Sequence, residues 1–211
     1  MIPIKFVPVH VVEYLMTQVS PDVVECMQKE IDAIEASGFD TTKYTSMSKD
    51  LVGAIDREFE LTESRDTVLS FLNQHIIPHY LTRFMLPQQE YTWTNKNGDR
   101  ALWVNFQDKH EYNPIHRHDG DISFVIWVKI PYKMADEERK HFSAGTFNFH
   151  TQTDQGFKGH SISADHTFES RIIMFPSYLH HSVTPFTTGK GYRISVAGNL
   201  VKKTLETSEA S

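Results

Sequence analysis

The chain has 211 residues, a length that suits one domain able to bury a sizeable core. With 27 acidic against 21 basic residues and a formal net charge of -6, its field repels phosphate backbones, which argues against a nucleic-acid partner. Hydrophobic content is 39%, and no apolar run approaches the roughly 18 residues of a membrane-spanning helix, so a soluble globular protein is expected.

Met1 to Val12 is apolar but broken by Pro3, Lys5 and Pro8, so it reads as a leading strand rather than a secretory signal. Ser20-Pro21 reads as a cap followed by a first-turn proline, and Val24, Met27, Ile31 and Ile34 then recur at helical spacing until Gly38. A second helical stretch from near Thr62 carries Val68, Leu69, Leu72 and Ile76 on one side, with Pro78 expected to kink or end it. The single Cys26 cannot form an internal disulfide, which fits a reducing compartment, most simply the cytoplasm.

From about Tyr91 the pattern changes to short apolar or alternating runs separated by turns such as Asn95-Lys96-Asn97-Gly98 and Thr188-Gly189-Lys190-Gly191. The candidate strands are Ala101 to Phe106, Ile122 to Ile130, Gly145 to Phe149, Ser170 to Phe175, Leu179 to Pro185 and Tyr192 to Ala197. The expected fold is α+β, mainly β: one domain over 1–200, with helical support over about 20–84 and a sandwich or jelly roll over about 91–200. Residues 201–211 read as a flexible tail. Thr151 to Glu169 is polar and without period, hence a loop or lid, and Asp136-Glu137-Glu138-Arg139-Lys140 reads as a solvated loop.

Nine of the twelve histidines lie between His110 and His181, inside the β-rich part. On an extended strand His116 and His118 project the same way, and His180 or His181 from a distant strand can supply a third imidazole. Neutral imidazoles suit iron, zinc, copper and nickel, and three of them leave coordination positions open. His150, His160 and His166 read as loop or surface residues. Trp103, Asn105 and Gln107 share a strand face that can wall a pocket, and the amide of Asn105 needs partners if buried. Arg193 and Ser195 share another face, where a guanidinium can take a carboxylate by two parallel hydrogen bonds and the hydroxyl can add a third.

These residues resemble the 2-oxoglutarate and Fe(II)-dependent oxygenases, especially the prolyl-hydroxylase-like branch and its short phage-encoded relatives. The resemblance covers about Trp103 to Asn199. It rests on Trp103-Val104-Asn105-Phe106, on Asn113 to His118 leading into Ile122-Ser123-Phe124-Val125-Ile126-Trp127, on Phe175 to Pro185 and on Arg193 to Asn199.

The resemblance implies a double-stranded β-helix, with His116 as first metal ligand, His181 as distal ligand and Arg193 as anchor for the far carboxylate of 2-oxoglutarate. Ser195 and Trp127, with Asn105 beside them, would line the cosubstrate pocket. Fe(II), 2-oxoglutarate, O2 and an unidentified primary substrate are the expected participants, with succinate and CO2 as coproducts. If the gene is viral, the compartment is the host cytoplasm. In place of the family's usual carboxylate two residues after the first histidine stands His118. Asp119 and Asp121 are the alternatives, the latter if Gly120 turns the chain back toward the metal. Two further readings stay open: a three-histidine, cupin-type dioxygenase that needs no oxo acid, and a non-catalytic binding module.

Overall fold

The computed structural model describes residues 13–94, 101–137, 144–154 and 156–203. In chain order the elements are β1 (Leu15–Gln18), α1 (Pro21–Ala36), β2 (Glu58–Glu60), α2 (Arg65–Phe71), α3 (Ile77–Arg83), β3 (Tyr91–Trp93), β4 (Leu102–Gln107), β5 (Asn113–His116), β6 (Ile122–Lys129), β7 (Phe147–Thr153), β8 (Gly156–Ile162), β9 (Arg171–Pro176), β10 (His180–Val183) and β11 (Arg193–Lys202). The larger antiparallel sheet runs β1-β9-β6-β11-β4-β2, with β3 also on β11, and the smaller runs β5-β10-β7-β8.

Strand alternation sorts the side chains into two cores. From β6 and β9, Phe124, Ile126, Ile172 and Met174 join Met27, Ile31 and Ile34 of α1 and Val68 of α2 on one face of the larger sheet. The intervening Trp127, Ile173 and Phe175 meet Phe147 and Phe149 of the smaller sheet on the other. Two facing antiparallel sheets buttressed by helices give the mainly β, double-stranded β-helix architecture.

The helical front follows its periodicity, and Val68, Leu72 and Ile76 are all buried. Pro78 does not end the second stretch. Its ring lacks an N–H and crowds the carbonyl four residues back, and the wider π turn over Leu72–Ile76 absorbs this before α3 continues. Glu30 of α1 locks the two helical segments together. Its buried carboxylate accepts hydrogen bonds from the amides of Thr62 (2.7 Å), Glu63 (3.0 Å) and Ser64 (2.9 Å) and from the Ser64 hydroxyl (2.7 Å). Glu30→Ala orphans the donors of fully buried Ser64 and is expected to destabilise the protein by about 2–3 kcal/mol in a denaturant titration. An unchanged midpoint would contradict this anchoring role.

Two expectations are corrected. Thr151 to Glu169 is not a lid: β7 continues to Thr153 and pairs with β8, and His166–Phe168 forms a short 3-10 turn. Most of β8 is exposed, so burial imposed no apolar alternation for the sequence to display. Glu137 is not solvated either. It is buried, and its carboxylate accepts from the backbone and hydroxyl of both Thr187 and Thr188. Those bonds hold its pKa below the ordinary carboxylate value even though burial pulls it upward. The expected leading strand at Met1 to Val12, the Asn95 to Gly98 turn, Glu138 to Lys140 of the charge run and the tail beyond residue 203 lie outside the described residues; Asp136 is exposed, and β11 itself runs through Lys202.

Candidate metal centre and cosubstrate pocket

Antiparallel pairing of β5 with β10 sets His116 directly opposite His181, so both imidazoles enter the space between the sheets. β5 ends at His116, which corrects the expectation of one continuing strand through His118. His118 reaches the same point from the following turn, held by its amide to the Ser177 carbonyl at 3.0 Å. Ring centroids of His116 and His181 lie 4.3 Å apart, and each is 4.9 Å from His118. One ligand atom from each of the three falls within 4.8 Å of the others. The ring of His181 stacks on Phe147 and meets the edge of Phe175, which fixes its plane.

Two backbone carbonyls choose the tautomers. Nδ1 of His116 lies 2.7 Å from the Pro114 carbonyl, and Nδ1 of His181 lies 2.9 Å from that of Leu179. A carbonyl only accepts, so each Nδ1 carries the proton and each Nε2 presents a lone pair. This orientation of the outer ring nitrogen is the usual support of a metal-binding imidazole. The donor set therefore fits a divalent transition metal such as Fe(II).

Burial, reinforced by the neighbouring imidazoles, pushes the pKa of His118 down to about 3 and that of His181 to about 2, and burial lowers His116 as well. These groups stay neutral when folded but bind protons at about 6.5 once unfolded. The unfolded chain then holds more protons below that pH, so folding stability falls with acidification. The metal-free protein is expected to lose Tm as pH drops from 6.5 toward 4, and His118→Gln is expected to flatten that loss. An identical pH profile for the two proteins would contradict a buried neutral His118.

The remaining candidates separate cleanly. Asp121 Oδ2 accepts the Lys202 amide at 2.8 Å and so closes the end of β11. Gly120, at φ +107, makes the turn, but a Cβ there would sit 2.9 Å from the Leu200 carbonyl oxygen, and the turn carries Asp121 to β11 rather than back to the histidines. Asp119 is exposed at the cavity wall. Among the described residues, neither aspartate joins the histidine group. His180 is exposed, and His150 binds the Ser182 hydroxyl at 2.8 Å. His150 and His160 sit on strands and His166 in the 3-10 turn rather than in plain loops, and His160 and His166 are exposed as a surface reading expects.

The histidines open on a cavity of about 710 Å³ that also exposes Trp103, Asn105, Gln107, Trp127, Arg193 and Ser195. Cross-strand register explains the grouping. Trp127, Ser195, Asn105 and Glu58 are successive partners across β6, β11, β4 and β2, and Arg193 pairs with Gln107 one step along. The Asn105 amide nitrogen lies 3.3 Å from the Ser195 hydroxyl. Arg193 is only 3% exposed. Its guanidinium donates to the Tyr132 hydroxyl (3.0 Å), the Gly145 carbonyl (3.4 Å) and the Gln107 side-chain oxygen. Among the described residues no carboxylate pairs with it.

Sequence reasoning missed Tyr132, Glu58 and the 47–55 segment that supplies Met47, Leu51 and Ile55 to the cavity wall. Tyr132 follows Pro131 just beyond β6, and that placement after a strand aimed at the site was the one available signal.

Residues 101–199 match the family described as "Putative 2OG-Fe(II) oxygenase". No curated protein matches the sequence. Among solved structures, a Pseudomonas putida prolyl-4-hydroxylase is similar, with a TM-score of 0.57 and 12% identity, over 92% of this chain and 94% of that one. A prolyl hydroxylase from Trichoplax adhaerens, in complex with a hypoxia inducible factor oxygen degradation domain peptide fragment, has a TM-score of 0.54 and 12% identity, over 90% and 82%. At such identity these structures speak for the fold alone. The family match spans the strands that carry the three histidines and the buried arginine, so over residues 101–199 this chain is similar to the 2OG-Fe(II) oxygenases.

Proposed function

We propose that the protein is a 2-oxoglutarate-dependent Fe(II) oxygenase in which His116, His118 and His181 hold the metal and Arg193 takes the far carboxylate of the cosubstrate. The observation that carries this reading is the buried guanidinium, without a carboxylate partner among the described residues, in the same cavity as three convergent imidazoles. A buried cation without a counter-charge is costly, and a ligand carboxylate relieves that cost.

Bound Fe(II) supplies the reactivity by which 2-oxoglutarate, O2 and a substrate C–H bond become succinate, CO2 and the hydroxylated product. The chain's own residues prepare that reaction. Arg193 presents its fork to the far carboxylate, with Tyr132 and Gln107 holding the guanidinium plane from either side. The Ser195 hydroxyl, on the same strand face, offers a further hydrogen bond. Buried Trp127 walls the pocket and keeps water from the oxo acid. The Pro114 and Leu179 carbonyls keep two lone pairs aimed at one point. Three neutral ligands bring no negative charge, so a dianionic cosubstrate is the group that neutralises the site.

The presence of His118 where a carboxylate is usual favours one other reading, a three-histidine dioxygenase that needs no oxo acid. The two part on stoichiometry. The purified protein with Fe(II), O2 and a reductant is expected to convert 2-oxoglutarate slowly to succinate even without its primary substrate, and Arg193→Ala is expected to stop it. Metal-dependent O2 uptake with no succinate formed would move the assignment to the second reading.

A further inference from the structure

Glu58 lies outside the family match, on the edge strand β2, and continues the cross-strand row Trp127, Ser195, Asn105 by one position. It is 1% exposed, yet its Oε2 has no hydrogen-bond partner among the described residues. The same is true of the side-chain oxygens of Asn105 and Asn113, which line the same cavity. Three residues that line one cavity therefore each carry a buried acceptor with no donor among the described residues. Either amide could be turned over to offer an N–H, whereas an ionised carboxylate can only accept.

The cations around the cavity do not answer this need. Arg193 is engaged by Tyr132, Gly145 and Gln107, and Arg117 is exposed at the wall. Burial, together with the charge of Glu111, raises the Glu58 pKa to about 7, as expected for a carboxyl that lacks a counter-ion. The wall beside it is apolar, formed by Met47, Leu51 and Ile55. Gly53 closes over the subsite so tightly that an added Cβ would collide with the Asn113 side-chain oxygen.

We propose that Glu58, with Asn105 and Asn113, forms the primary-substrate subsite and selects a cationic nitrogen, an ammonium or guanidinium carried on an aliphatic stem. The carboxylate neutralises the cation, the two amide oxygens take its remaining N–H groups, and Met47, Leu51 and Ile55 cover the stem. This assignment of substrate class rests on the oxygenase reading, because it uses the same cavity. A divalent metal is a poorer occupant, since such ions gather several oxygen ligands, usually more than one of them a carboxylate.

The test is calorimetric titration of the full-length protein with n-butylammonium and n-butylguanidinium, against the neutral n-butanol and butyramide. At least one cation is expected to bind about ten-fold more tightly than either neutral compound, and Glu58→Gln, which keeps the shape, is expected to erase that preference. Equal binding of cations and neutrals to the wild type, or a preference that survives Glu58→Gln, would overturn the proposal. The wild-type comparison decides the matter even if the variant folds poorly. A cation preference in a protein that forms no complex with Fe(II) and 2-oxoglutarate would keep the subsite and remove the oxygenase reading. A complex without the preference would do the reverse.

Discussion

Replacing Arg193 with alanine is expected to weaken 2-oxoglutarate binding by roughly 30-fold to several thousand-fold while leaving Fe(II) affinity within about two-fold. The range follows from truncating one partner of a buried, hydrogen-bonded charge pair, which typically costs about 2–5 kcal/mol. The residues proposed to hold the metal lie elsewhere, on β5, β10 and the turn after β5, so its affinity has no direct reason to change. Arg193→Lys keeps the charge but loses the fork, and its affinity should fall between the two. Titrating 2-oxoglutarate into the anaerobic Fe(II) protein measures all three. Undiminished affinity in Arg193→Ala would place the cosubstrate elsewhere.

The second large effect is on the metal itself. His181→Ala removes the most buried of the three imidazoles, and Fe(II) affinity is expected to drop by about 100-fold or more, since loss of outer hydrogen-bond partners alone commonly costs about 10–100-fold. His118→Ala should lose a comparable factor if His118 completes the site, whereas Asp121→Ala should cost stability through the freed Lys202 amide and leave metal affinity intact. Equilibrium binding of Fe(II) under anaerobic conditions reads both variants. An Asp121→Ala protein that loses metal while His118→Ala keeps it would reverse the assignment.

The strands that build the core were the most legible part of the chain. β4, β6, β9 and β11 are buried on one or both faces, so packing dictates their side chains, and their apolar runs were found within a residue of the observed bounds, except that β11 runs past the expected Ala197 to Lys202. β8 and β2 were not. β8 is largely exposed and its residues answer to solvent, and β2 is three residues, Glu58–Glu60, too short to show a period. Pro78 misled in degree, because a local rule about proline took no account of the π turn that accommodates it.

The site was legible where strand geometry carried it. Side-chain alternation left His180 or His181 to complete the group, the family resemblance pointed to His181, and the pairing of His181 with His116 places it there; the shared face of Arg193 and Ser195 follows from alternation alone. His118 arrives from a turn, so its convergence depends on Ser177 and Gly120 rather than on a strand period. Glu58 comes from a segment whose own sequence carries no signal for the cavity it lines, and Tyr132, which holds Arg193, offered only its place just beyond β6. What places them is the sheet order, and sheet order is a long-range property of the whole chain.

The most direct test of the central claim is an anaerobic spectral titration of the wild-type protein with Fe(II) and 2-oxoglutarate. A visible metal-to-ligand charge-transfer band that saturates at one equivalent of each, and weakens in both Arg193→Ala and His181→Ala, is the predicted result. Iron bound at the three histidines with no band at any concentration of 2-oxoglutarate would contradict the account.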